Sequence, residues 1–240
     1  MLNPQAPVQA HTMPILTDIP PVAKMVTVKF GPPTCTLEDI ILKFLAEREL
    51  QATEGVPLFE LAGPADPDFS GILRPERIPC IHPVPRLFID VLSKFPGFAR
   101  LPERVAAVYL THCVLRWQVA PTQENYDRLP EWMKPTPLQL SHRHPCWMTY
   151  VPWPAARDEL VRNQHSYPFD DWFIPLSTNL SLNWPYHDND TLSYKSGSDE
   201  MLINPLFEQH VRNLDNWSLG PAFAEAYPVV AECIKSKAKT

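Results

Sequence analysis

Three groups of residues have types and spacings that could do chemistry. His142-x-His144-x-Cys146 is the densest set of potential metal ligands: alternate residues of an extended chain point to one face, and imidazole and thiolate both bind zinc. A zinc site needs three or four ligands, however, and the next candidates, Cys80 and His82, lie far away in sequence, so no metal is expected. Arg157-Asp158-Glu159 follows Trp153-Pro154. Its acids suit the first turn of a helix, and alternatively Arg157 could hold an anion while Asp158 or Glu159 serves as a base. With His144 as a further proton carrier, His144, Arg157 and Asp158 are the catalytic candidates. Finally, Trp132, Trp147, Trp153 and Trp184 sit in proline-rich stretches, where they either pin loops to the core or wall an apolar ligand pocket.

The common cofactor signatures are missing. There is no GxGxxG, no GxxxxGK[ST], no GxSxG and no HExxH, so nucleotide-dependent and common hydrolase chemistries lose their usual footing and no cofactor is expected. Five scattered cysteines without a CxxC read as reduced, buried thiols of an intracellular protein, in nucleus or cytoplasm. No secretory signal opens the chain. The stretch 105–119, the longest apolar one, is interrupted by His112 and Arg116 and is too short for a membrane span.

The elements that must position these residues are shaped by an unusual composition. Among 240 residues there are 29 prolines and 7 glycines, more than twice the usual ~5% share of proline. Proline cannot donate to a ladder, which disfavours a large sheet. Hydrophobic residues make up 45% of the chain, enough for a real core. The formal charge of −6, with no basic run before the tail lysines 235, 237 and 239, argues against direct nucleic-acid binding.

Periodicity predicts a helix over 37–50, opened by a Thr36-x-x-Asp39 capping box. Residues 52–85 read as loop or single turns, followed by helices over 86–95 and, led by Pro102, over 103–119. The last of these is apolar nearly all round and is expected at the centre of the fold. Beyond it lie proline-punctuated loops, a short strand at 148–151, a helix from Pro154 to about 163, and one opened by Asn204-Pro205. The last helix spans 222–235 and is broken at Pro228. The expected fold is therefore mostly α: a single helical domain over 26–240 with long proline- and tryptophan-rich ordered loops and one or two short strands. A flexible proline-rich leader over 1–25 is expected to precede it.

Several phrases then stand in a recognisable order. They are Arg116-Trp117, Pro121-Thr-x-x-Asn-Tyr126, Leu129-Pro-x-Trp-x-x-Pro-Thr-x-x-Gln139, Pro152-Trp-Pro-x-x-Arg-Asp158, Asn183-Trp-Pro-Tyr186 and the stretch Asn204 to Leu219. Together they resemble a fungal domain of unknown function that usually forms the C-terminal part of bZIP-type transcription factors. The resemblance implies transcriptional regulation. Yet the residues before Val26 hold no leucine heptads and one basic residue, Lys24, so the basic helix that would enter a major groove is missing and the domain is expected to stand alone. Two readings follow. One is a regulatory or interaction module that binds a small apolar metabolite or a protein partner. The other is a cofactor-independent cyclase, hydratase or lyase of fungal secondary metabolism, needing only an apolar pocket with one acid and one base.

Overall fold

Proline decides where most of the helices begin. The first turn of a helix leaves its N–H groups unpaired, so a residue without one costs nothing there. The computed structural model describes residues 30–93, 97–98 and 100–235; the expected leader over 1–25 lies outside these. Its α-helices, in chain order, are α1 (Thr36–Thr53), α2 (Leu58–Ala62), α3 (Ser70–Leu73), α4 (Pro83–Ser93), α5 (Leu101–Val119), α6 (Gln123–Asp127), α7 (Pro137–Ser141), α8 (Pro154–Arg162), α9 (Phe169–Asn179), α10 (Pro205–Arg212), α11 (Pro221–Ala226) and α12 (Pro228–Lys235). Proline occupies the first turn of α5, α7, α8, α10 and α11, and the break expected at Pro228 separates α11 from α12.

Polar caps complete several of these starts. Thr122 Oγ1 accepts from the Asn125 N–H, and Asn204 Oδ1 accepts from the Leu206 N–H at 2.9 Å. Thr136 and Gln139 form a full capping box on α7, each side chain accepting the other's backbone N–H. The box expected at Thr36 is absent. Thr36 is already inside α1, and the Thr34 N–H and hydroxyl donate instead to Glu38 Oε2, at 2.7 and 2.6 Å. The reason is the face each acid occupies: Glu38 is buried, whereas Asp39 faces solvent and pairs with Lys43 at 2.7 Å.

Helix α5 forms the centre, as its all-round apolar pattern predicts. Val105, Ala106, Val114 and Leu115 are fully enclosed, and α2, α4 and α1 pack around it. Between the end of α1 at Thr53 and the start of α4 at Pro83 the chain holds only α2, α3 and a 3₁₀ turn at Pro75–Cys80, in keeping with its proline and glycine punctuation. At Gly63 the backbone turns at φ +70°, and a Cβ there would lie 2.3 Å from His82 Nδ1, so only glycine fits.

The strand expected at 148–151 is instead a 3₁₀ turn, Cys146–Tyr150. Pro145 precedes it and its carbonyl accepts the Met148 N–H at 3.2 Å, while Pro152 follows, so no ladder can form. The strands lie elsewhere and are short. β1 (Leu180–Ser181) pairs antiparallel with β4 (Ser218–Leu219), and β2 (Leu192–Tyr194) pairs antiparallel with β3 (Met201–Ile203). The fold is mostly helical, and its loops are held by side chains rather than by sheets.

Candidate functional site

Arg157 is the clearest case of a side chain that holds loops together. It sits in the first half of α8, fully buried, and all of its hydrogen-bonding geometry is used internally. Nε donates to Gln139 Oε1 at 2.9 Å, Nη1 to the Val151 and Pro152 carbonyls at 2.9 and 3.3 Å, and Nη2 to the Trp132 and Lys134 carbonyls at 2.9 Å each. Burial lowers its pKa to about 10, and Asp158 partly restores it. Arg157 therefore ties two proline-rich segments and α7 together, and no donor remains for a ligand anion. Its neighbour Asp158, half-buried, accepts the Thr136 hydroxyl at 2.5 Å and lies 3.8 Å from Arg162. Through Thr136 and Gln139 the pair belongs to one network.

His144 is not part of that network. Its Nδ1–H donates to the His142 carbonyl at 2.9 Å, Phe30 packs edge-on at 5.6 Å, and Nε2 is buried without a partner. Burial holds its pKa below the ordinary histidine value, although the His142 carbonyl and Glu38 both favour the proton. The neighbouring Cys146 is also enclosed, and burial together with the Glu38 carboxylate raises its thiol far above the usual range. His142 instead reaches Ser141 Oγ at 2.9 Å on the surface. The expected alternation of His142, His144 and Cys146 toward one face thus fails because the chain turns at 146. Among the described residues no group of three His, Cys, Asp or Glu side chains is placed to hold a metal.

The four tryptophans do not converge. Trp147 lines a central cavity of about 80 Å³, while Trp132 stands behind it, edge-on to Trp217 at 5.8 Å, with its Nε1–H on the Arg212 carbonyl at 2.8 Å. Trp153 is core, its carbonyl receiving the Arg157 N–H at the start of α8. Trp184 packs on Phe207 and His210 at 4.8 and 5.0 Å, beside an open surface hollow of about 320 Å³.

The cavity is walled by α4 (Phe88, Val91), α5 (Leu110, Thr111), the 146–150 turn (Trp147, Tyr150) and α9 (Phe169, Phe173). Three of its polar side chains are already engaged. The Thr111 hydroxyl donates to the Ala107 carbonyl at 2.6 Å, the Tyr150 hydroxyl to Gln118 Oε1 at 3.3 Å, and the Trp217 indole N–H to the Val211 carbonyl at 2.8 Å. A space of this size is about that of two or three waters, well under the ~300 Å³ of an ordinary ligand pocket. It suits a small apolar guest, and a larger one only if aromatic walls move.

Two contributors are not apparent in the sequence reading. One is Glu38, which gathers Thr34 and the Trp147 N–H (3.4 Å) around one buried carboxylate; its spacing matches a solvent-facing acid as well. The other is α9. Phe169, Trp172, Phe173 and Leu176 stand at i, i+3, i+4 and i+7, but Pro175 inside the helix masks the pattern.

Buried Tyr109 and half-buried Glu208 and Arg212 form a second staple. The Tyr109 hydroxyl donates to Glu208 at 2.5 Å and accepts from Arg212, joining α5 to α10. Among the described residues no helix is long and apolar enough to cross a membrane.

No curated protein and no solved structure matches the chain. The sequence profile of the domain of unknown function DUF3425 matches residues 112–238, more than half of the chain, and includes the second half of α5, the Thr136–Gln139–Arg157 network and the Trp147 and α9 walls of the cavity. The chain belongs to the DUF3425 family.

Proposed function

We propose that the domain is a regulatory or interaction module that takes up a small apolar molecule in the cavity between α4, α5 and α9, and that it acts in transcriptional control without itself holding DNA. One observation carries this reading. The cavity wall is aromatic and aliphatic, and the Thr111, Tyr150 and Trp217 polar groups in it are already bonded to protein. An active site needs an acid or base with a free lone pair or proton at the reacting atoms. Here Arg157, Asp158 and His144 lie outside the cavity wall, and the first two are engaged in linking loops. The net charge of −6 supports action through proteins rather than through phosphates. The resemblance to the C-terminal domain of fungal bZIP transcription factors supports the regulatory setting, in nucleus or cytoplasm.

The test is a thermal-shift titration with uncharged probes: xenon, toluene, indole and cyclohexanol. At least one should raise the melting temperature saturably. Val91→Phe, which fills the space, should remove that response at a stability cost of about 1–3 kcal/mol. Stabilisation that survives in the filled variant would remove the cavity from consideration. Consumption of a probe or of a fungal metabolite, abolished by His144→Ala or Asp158→Asn, would make the protein a cofactor-independent cyclase, hydratase or lyase instead.

A further inference from the structure

Among the described residues, the second half of α1 and the short α2 leave an apolar surface uncovered. Along α1, Leu42, Leu45, Ala46 and Ala52 line a groove of about 470 Å³ together with Leu58 of α2, Phe30 and Gly31, and Gln118, Val119 and Pro121 at and just beyond the end of α5. Next to it Leu50, Leu58 and Phe59 are 58%, 44% and 72% exposed. Exposing such side chains to water is unfavourable, and clustered exposure marks docking surfaces. The groove shares no wall residue with the central cavity.

The exposed charges on this part of the chain are mostly acidic, and the one cation in the groove wall, Arg48, lies 3.4 Å from Glu47 on its own helix. Glu49 lies in the groove wall, and Glu54 and Glu60 follow within the same turn and α2. All three are exposed, and none has an ion-pair partner among the described residues. Arg48 also donates to Gln51 Oε1 at 2.8 Å and lies over the Phe44 ring at 4.8 Å.

We infer that this groove receives an amphipathic, basic α-helix of a partner protein. The groove-lining part of α1, from Leu42 to Ala52, is about 15 Å long at 1.5 Å per residue, which matches about three turns of a bound helix. Helix-in-groove binding is the mode in which one helical face, with apolar residues at i, i+3, i+4 and i+7, fills a trough of this kind. The unpaired carboxylates select Lys and Arg on its flanks. They oppose a second copy of this chain, which brings the same acidic patch, and they oppose nucleic acid and anionic lipid for the same reason.

The experiment is a selection of displayed 16-residue helix-forming peptides on the purified protein, followed by fluorescence anisotropy of the enriched sequences. Enriched peptides should carry the i, i+3, i+4, i+7 apolar pattern and a net positive charge. Phe59→Asp and Leu58→Asp should each weaken them at least tenfold. The double change Glu49→Lys with Glu54→Lys, which leaves the apolar surface intact, should weaken them similarly and should admit the same peptide with Glu in place of Lys. Because all four positions are exposed, the variants should melt within a few degrees of the unmodified protein. Three results would overturn the inference: no enrichment, enrichment of acidic or unpatterned peptides, or binding insensitive to these substitutions. Concentration-dependent dimerisation abolished by Phe59→Asp would assign the groove to a second copy and overturn it as well.

Discussion

Pro175 and Tyr227 are linked through a carbonyl that belongs to neither. Pro175 sits inside α9 and has no N–H to give to the carbonyl four residues earlier, that of Asp171. The Tyr227 hydroxyl, from the junction of α11 and α12, donates to that carbonyl at 2.6 Å. The Tyr227 ring also meets Trp172 edge-on at 5.0 Å, so one residue covers both the backbone gap and the aromatic cluster behind the cavity.

Tyr227→Phe should accordingly cost about 0.5–1.5 kcal/mol, the usual net worth of one hydrogen bond. In a Pro175→Ala background the helix supplies its own donor, and the same substitution should cost clearly less. A double-mutant cycle by urea denaturation reads the coupling. Equal losses in both backgrounds would mean that the hydroxyl does not compensate for the proline.

Arg157→Lys should be severe although it keeps the charge. An ammonium has three donors without a planar fork and cannot reach Gln139 together with the carbonyls of Trp132, Lys134, Val151 and Pro152. Leaving two or more of these acceptors unpaired in the interior costs at least about 2 kcal/mol, at about 1–3 kcal/mol each. Asp158→Asn keeps an acceptor for the Thr136 hydroxyl and should cost about 1 kcal/mol or less. Denaturation midpoints of the two variants check the order. A mild Arg157→Lys would show that the loops are held in some other way.

Trp147→Ala and Trp153→Ala should both lower stability by about 3–5 kcal/mol, since both rings are buried. Their responses to ligand should differ. Trp147 lines the cavity and Trp153 does not, so only the Trp147 variant should gain additional stabilisation from toluene or indole. Thermal-shift curves of both proteins with and without probe make the comparison. Equal responses would place the probe away from the cavity.

Much of the helical framework was legible because helix signals are local. Proline at a first turn, Asn204 as a cap and the all-round apolar face of α5 are each decided within one turn of chain. What could not be read depends on distant partners. Glu38 looks like any acid of a first turn until Thr34 and the Trp147 N–H converge on it. The sequence around Arg157 suits an anion site equally well until four carbonyls from two other segments close on it. The phrase Pro135-Thr-x-x-Gln139 contained a capping box all along; its second task, orienting Gln139 toward Arg157, emerges only when α7 and α8 meet. The short strand expected at 148–151 also fails, because the flanking prolines impose a turn.

Acid should destabilise this fold through its buried imidazoles. His112 lies on α5, enclosed on all sides, and neither ring nitrogen makes a well-formed hydrogen bond, the nearest groups being the backbone of Pro64 and Ala65. Burial, and then the nearby Arg116, lower its pKa to about 3, while the Ala65 and Pro64 backbone works weakly in the other direction. In the unfolded chain the same ring titrates near 6.5. Between these two values the unfolded state holds a proton that the native state refuses, so stability falls as pH falls through this window, by up to about 1.4 kcal/mol per pH unit from this residue alone. His82 and His144, also lowered by burial, contribute in the same direction. The check is urea denaturation of the unmodified protein and of His112→Leu from pH 7 to pH 4. The carboxylates titrate alike in both, so they cancel in the difference. The stability of the leucine variant relative to the unmodified protein should rise steadily as the solution is acidified below about pH 6.5. Parallel curves would mean that His112 takes its proton in the native state, and that the enclosure seen around it opens in solution.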